Sequence, residues 1–172
     1  MKRSTTFKRA MLGAGALTLS ACAAPKEEVL TYNSVEACIA AGVQDDSTCR
    51  VEFDKAETLH EEVAPRYQTS STCYADFGYN RCYRSTGSSP WLPFMVGYML
   101  APRGSTGAIY SQPLYRPSSD PNHFYTSRGG SIGNVSPTGR AQVATSQTAE
   151  PRARTRTVAR GGFGSRSKSA AS

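Results

Sequence analysis

Apolar residues recur at helical spacing over one long stretch of the chain. Cys49, Phe53, Ala56, Leu59 and Val63 share one face, and Glu52, Asp54, Glu57, Glu61 and Glu62 fill the rest. The pattern predicts a helix from about Ser47 to Val63, stopped by Pro65. Two shorter helices flank it. Tyr32-Asn33-Ser34 ahead of Cys38 is echoed by Tyr67-Gln68-Thr69 ahead of Cys73, a weak internal repeat. In each, a hydroxyl residue stands four positions before the cysteine, where it can cap a helix. The expected helices run from Val35 to Ala41 and from Ser70 to Phe77. Gly42 and Gly78 follow them as natural stops.

The most apolar run after residue 22 is Trp91-Leu92-Pro93-Phe94-Met95-Val96-Gly97-Tyr98-Met99-Leu100. Ten residues are too few to cross a bilayer as a helix, and Pro93 and Gly97 disfavour a regular one. Three roles stay open: packing over the helical head, lying in a membrane surface, or binding a partner through Trp91, Phe94, Met95 and Tyr98. Farther on, Leu114-Tyr115 and Phe124-Tyr125 flank a turn-like Ser-Ser-Asp-Pro-Asn and suggest a small hairpin. Beyond Ser127 the apolar residues are too few to offset the entropy of ordering, so disorder is expected. Such a tail of about 45 residues would reach roughly 35–40 Å. Within it, Arg160 and Phe163 stand out as a short recognition element. The fold class that follows is mainly α: a small disulfide-stapled helical head with a long, largely disordered C-terminal tail.

The first residues have the three parts of an export signal. Lys2, Arg3, Lys8 and Arg9 are basic, Ala10 to Leu19 is apolar, and Leu19-Ser20-Ala21 precedes Cys22. A leucine and two small residues before a cysteine fit lipoprotein processing, with the Cys22 thiol as the lipidation site. Two or three acyl chains there would anchor the protein without a membrane span. Ala23 at the next position, in place of Asp, favours the outer membrane, facing the periplasm.

Export changes the charge picture. The leader holds four of the 20 Lys and Arg, so a chain starting at Cys22 carries 16 bases against 13 acids, +3 rather than +7. Residues 22–100 hold 11 acids and 6 bases, whereas residues 101–172 hold 2 acids and 10 bases. A basic tail on an acidic head would touch an anionic surface, such as lipid or cell wall, or the head itself. Four cysteines remain after Cys22, all in the head, and an even count in an exported chain predicts two disulfides. Of three pairings, Cys38–Cys49 with Cys73–Cys82 is favoured, each bridge contributing about 2–4 kcal/mol. The division expected is a signal peptide (1–21), a tether (22–31), a stapled helical module (32–84), a linker with the apolar strip (85–100) and a basic tail (101–172).

No catalytic constellation emerges. His60 has no nucleophile or orienting group in evident spacing, and its ordinary reading is a helix histidine; His123 sits in a turn-like context. Nucleotide, hydrolase and Cys-x-x-Cys motifs are absent, and no His stands at zinc-ligand spacing from the cysteines. No metal and no cofactor are expected, and the protein is not expected to be an enzyme. The acidic face of the long helix is an ordinary solvated face, or a dock for a basic partner. Arg152, Arg154, Arg156 and Arg160 before Gly161-Gly162-Phe163 resemble an RNA-binding segment, but export removes nucleic acid as a partner.

Several stretches resemble the uncharacterised YgiB-like family of bacterial envelope lipoproteins. They are Trp91 to Met95 with Gly97-Tyr98-Met99, Gln112-Pro113-Leu114, and Arg160-Gly161-Gly162-Phe163-Gly164. The paired cysteines and Ala64-Pro65-x-Tyr67 also fit, so the resemblance extends from about Tyr32 to Gly164. The linker before Trp91 is shorter than the family's Gln/Ala-rich one. The resemblance implies a membrane-associated exported protein and carries no active-site residue. The function expected is that of a non-catalytic adaptor or structural lipoprotein binding another envelope component. The alternative is an electrostatic binder of anionic membrane or cell wall.

Overall fold

The computed structural model describes residues 24–86 and 90–153, together with Thr157 and Phe163. In chain order the elements are β1 (Lys26–Tyr32), α1 (Val35–Ala41), α2 (Asp46–Val63), α3 (Ser70–Phe77), β2 (Cys82–Arg84), β3 (Trp91–Pro93), β4 (Gly97–Leu100), β5 (Gln112–Tyr115), β6 (Tyr125–Thr126), β7 (Arg140–Ala144) and α4 (Thr145–Thr148).

The three helices stand where the apolar pattern and caps place them. The Ser34 hydroxyl accepts from the Ala37 amide, and Thr69 accepts from the Thr72 amide. Gly42 closes α1 at φ 63°, a left-handed conformation that glycine adopts without steric cost. Both disulfides have the favoured pairing. Cys38–Cys49 ties α1 to α2, and Cys73–Cys82 ties α3 to β2.

The mainly α expectation is overturned. The described residues are mixed, 29% helical and 25% strand, and their centre is a curled five-stranded antiparallel sheet. The strand order is β6-β5-β4-β1-β7, and β2 and β3 form a separate ribbon. The expected tether provides an interior strand of this sheet: β1 pairs with β4 through Leu30↔Leu100 and with β7 through Val29↔Ala141. Val29 and Leu30 are fully buried, each contributing about 1.5–3 kcal/mol.

The largely disordered tail is corrected as well. The weak hairpin forms, with Tyr115↔Tyr125 in register. After it, β7 completes the sheet edge and α4 is fastened by side chains. Gln112 Nε2 donates to the Gln147 carbonyl at 2.6 Å, and the Thr148 hydroxyl donates to Glu27 at 2.8 Å. The basic half of the chain also turns back onto the acidic half. Arg103 pairs with Asp45 at 2.6 Å, Arg140 pairs with Glu28, and Arg128 donates to the carbonyls of Ser146 and Glu150. Arg103 and Arg140 thus reach acids of the head, whereas Arg128 bonds within the basic half.

Strand alternation sorts the core onto two faces of the sheet. Leu30, Tyr32, Tyr98 and Leu100 meet Cys38, Cys49 and Ala56 of the helices. Val29, Met99, Leu114, Ala141 and Val143 pack with Ile132 on the other side. A third cluster joins α3, the β2–β3 ribbon and β5 through Tyr67, Phe77, Leu92 and Tyr115. At Gly97 a Cβ would lie 2.5 Å from the Tyr32 carbonyl oxygen, so β1 and β4 close over this position only because it has no side chain.

Candidate functional site

The apolar strip is broken up by the fold. Tyr98 is fully buried; its hydroxyl donates to the Cys49 carbonyl at 3.2 Å, and its ring meets Phe53 edge-on at 5.4 Å. Met95 packs against the same helical cluster. Trp91 exchanges two backbone hydrogen bonds with Tyr67, at 2.7 and 2.9 Å, and leans on the Tyr74 ring. Phe94 alone of the four candidates stays on the surface, 47% exposed and stacked on Tyr83 at 5.1 Å. Phe163 is buried in the third cluster, against Phe77, Tyr115 and Tyr125. Cys22 and Arg160 lie outside the described residues.

A different surface gathers apolar and charged side chains together. A groove of about 790 Å³ runs along α2, between the helix and the segment entering β5. Its floor is apolar: Leu59, Ile109, Tyr110, Pro151 and Val51, with Val51 49% and Tyr110 43% exposed. Its rim is acidic, formed by Glu52, Asp54, Glu62 and Glu150, with Lys55 as the counter-charge. Lys55 lies 2.8 Å from Glu52, which also accepts from Ser111. Burial pushes the Glu52 carboxyl up, but these two hydrogen bonds and the Lys55 charge outweigh it and hold the group below its ordinary value. Asp54 and Glu62 make no ion pair among the described residues. The groove continues past Leu59 and Glu62 into a second hollow bordered by Arg128 and Arg152. Its apolar floor and acidic rim suit an extended segment carrying both apolar and basic side chains.

The sequence holds one sign of this surface. Val51 lies off the stripe that faces the core, an apolar residue on the acidic side of α2. Tyr110, Ile109 and Pro151 carry no local signal, because long-range folding brings them beside the helix.

Under α2 lies a polar network that the apolar pattern misses. The buried stripe is Cys49, Ala56, His60 and Val63, with His60 in place of Leu59. His60 Nδ1 lies 2.9 Å from the Tyr115 hydroxyl and Nε2 lies 3.0 Å from the Tyr83 hydroxyl. Tyr83 gives its only proton to Glu61, so it must accept from His60 Nε2–H. His60 Nδ1 then accepts from Tyr115. Burial pushes the His60 pKa down, against a smaller opposing pull from Glu61, and keeps the ring neutral. Burial and the Glu61 carboxylate together push Tyr83 well above the usual tyrosine range. Glu61 also accepts from the Ser85 hydroxyl at 3.0 Å, so the network runs from Tyr115 through His60 and Tyr83 to Glu61 and Ser85. The network fastens α2 to β2 and β5.

The Asp120–His123 contact, at 2.8 Å, closes a surface turn in which Tyr125 also donates to Asp120. Among the described residues no group of His, Cys, Asp and Glu is arranged to hold a metal ion.

A family profile described as "Protein of unknown function (DUF1190)" matches residues 26–172. A UPF0441 protein of Klebsiella pneumoniae is 31% identical over 165 residues, covering 85% of this chain and 74% of the relative. UPF0441 proteins of Pectobacterium atrosepticum and Photorhabdus laumondii are each 29% identical; both matches cover 85% of this chain, with 74% and 75% of the respective relatives. No solved structure matches the chain.

Proposed function

The chain belongs to the DUF1190 family of uncharacterised bacterial proteins, and we propose that it is a lipid-anchored, non-catalytic adaptor of the cell envelope. The YgiB-like kinship belongs to the same reading. The observation that carries it is the combination of a lipoprotein-type leader ending at Cys22 with two disulfides in the folded body. Disulfides persist in oxidising compartments, which is where such a leader delivers a chain. Among the described residues no helix is long and apolar enough to cross a membrane, so attachment falls to the acylated cysteine.

An anchor at Cys22 would restrict where the body sits. β1 starts at Lys26, four residues after Cys22. Four residues span at most about 14 Å. The body is therefore held close to the membrane, and the placement of its groove relative to the bilayer is restricted. The groove along α2 is the surface for the partner, and its acidic rim selects a basic segment with an apolar side chain. The outer membrane, facing the periplasm, is the location this reading favours. The pairing of Arg103 and Arg140 with acids of the head supports an adaptor over an electrostatic binder of anionic membrane or cell wall.

The test is site-specific photo-crosslinking from position 110 in intact cells, with Val51→Asp as the disrupting variant. A discrete crosslinked envelope protein that disappears with Val51→Asp, in a protein whose far-UV spectrum is unchanged, supports the proposal. Crosslinks unaffected by Val51→Asp overturn the groove as the docking surface.

A further inference from the structure

Among the described residues the most exposed large hydrophobic side chain is Tyr79, at 80%. Its ring meets Tyr74 edge-on at 5.5 Å, and Tyr74 meets Trp91 edge-on at 6.1 Å. Tyr74 and Trp91 are half-buried and pack against the third cluster. The three rings thus form a row from the turn after α3 to the β2–β3 ribbon, on a face that the groove does not use. The backbone holds the row in place. The turn carrying Tyr79 has positive φ on both sides, 100° at Gly78 and 56° at Asn80, and the Arg81 amide donates to the Gly78 carbonyl at 3.2 Å. The Cys73–Cys82 bridge spans the stretch that bears both tyrosines. Rings fixed in this way lose little entropy when a ligand settles on them.

Two arginines flank the row. Arg84 stands opposite Trp91 in the ribbon register, so the two share one face. Arg81 lies beside the turn, where a Cβ added at Gly78 would come within 3.5 Å of its stem. Both arginines are exposed, and neither makes an ion pair among the described residues, unlike Arg103 and Arg140. The sheet also fixes which way this face looks. Tyr32, six positions and roughly 20 Å along β1 from Lys26, is level with Tyr98 and Pro113. Tyr115 lies farther in the same direction, and the ring row packs on its cluster. A chain anchored at Cys22 therefore carries the row toward the end of its body away from the lipid.

We infer that Tyr74, Tyr79 and Trp91, with Arg81 and Arg84, form a binding face for an acidic glycan, a polymer of pyranose rings bearing carboxylates. A pyranose turns an apolar C–H face to an aromatic ring, while carboxylates project from its edge toward cations. An apolar partner would instead desolvate the two arginines without supplying a counter-charge. The inference rests on the envelope location proposed above, because that compartment holds the wall glycan. It leaves the groove along α2 free for a protein partner.

Trp91 is the single tryptophan of the chain, so its emission reports on this face directly. The mature chain, residues 22–172 with Cys22→Ser so that no lipid is attached, is titrated with muramidase-released wall fragments, amino-sugar disaccharides bearing acidic peptides. A saturable change in Trp91 emission is expected. Affinity should fall about tenfold in Tyr79→Ala, which removes an exposed ring and leaves the core untouched, and again in the double variant Arg81→Gln with Arg84→Gln. No saturable change, or equal affinity in Tyr79→Ala and wild type, overturns the proposal. So does a change seen with vesicles of phosphatidylethanolamine and phosphatidylglycerol and not with the fragments, which would make the row a membrane-contact surface. None of these outcomes depends on the anchor, whose failure shows instead as an unacylated Cys22 in protein from native membranes.

Discussion

Replacing His60 with glutamine should flatten the acid sensitivity of the fold. His60 is 6% exposed, bonded to Tyr115 and Tyr83, and burial holds its pKa below the ordinary 6.5. The unfolded chain takes up a proton near pH 6.5, whereas the folded chain resists it until a lower pH. The stabilisation is therefore complete above pH 6.5 and declines as the pH falls toward the folded-state value. The decline cannot exceed about 1.4 kcal/mol per pH unit for one proton. Glutamine keeps a donor and an acceptor but does not titrate, so the difference between the two proteins isolates His60 from the carboxylates. Urea unfolding with the disulfides intact, at pH 7.5, 6.5 and 5.5, measures it. The wild type should lose up to about 1 kcal/mol more than the variant between pH 6.5 and 5.5, because half of the unfolded histidine is already protonated at 6.5. Parallel pH profiles would refute the buried neutral histidine.

Other substitutions probe the packing around it. Replacing both Cys38 and Cys49 with serine opens a loop of sequence separation 11 and should cost about 2–4 kcal/mol, read as a lower thermal midpoint. Gly97→Ala forces a methyl against the Tyr32 carbonyl and should destabilise by about 1–3 kcal/mol; an unchanged urea midpoint would contradict the close β1–β4 contact. Tyr98→Phe removes only the hydroxyl that bonds the Cys49 carbonyl and should cost about 1 kcal/mol in the same assay.

The helical part of the fold was readable because its determinants are local. Ser34, Thr69, Gly42 and Gly78 mark ends within a few residues of the helices they bound, and the two disulfides close short loops. The sheet was not readable for the converse reason. Gly97 to Leu100 is buried on both faces, so it shows a continuous apolar run rather than alternation. Arg140 to Ala144 does alternate, but its order depends on pairing with β1, more than a hundred residues away. A polar strand of this kind looks like disorder until its partner is known. The apolar stripe passes over His60 because Leu59 is the more apolar neighbour. The stripe Cys49, Phe53, Ala56, His60 and Val63 keeps a regular alternation of four and three, and that spacing was the available clue. Of the described candidates Phe94 is exposed, Trp91 and Met95 are half-buried, and Tyr98 and Phe163 are buried, since aromatic residues fill cores as readily as interfaces.

The account rests on a folded body made in an oxidising compartment and attached through Cys22. Non-reducing peptide mass mapping of the protein purified from its native membranes tests this most directly. The account predicts an acylated Cys22 at the mature N-terminus, with Cys38–Cys49 and Cys73–Cys82 bridges in the same molecules. A full-length, unacylated N-terminus with four free thiols would contradict it.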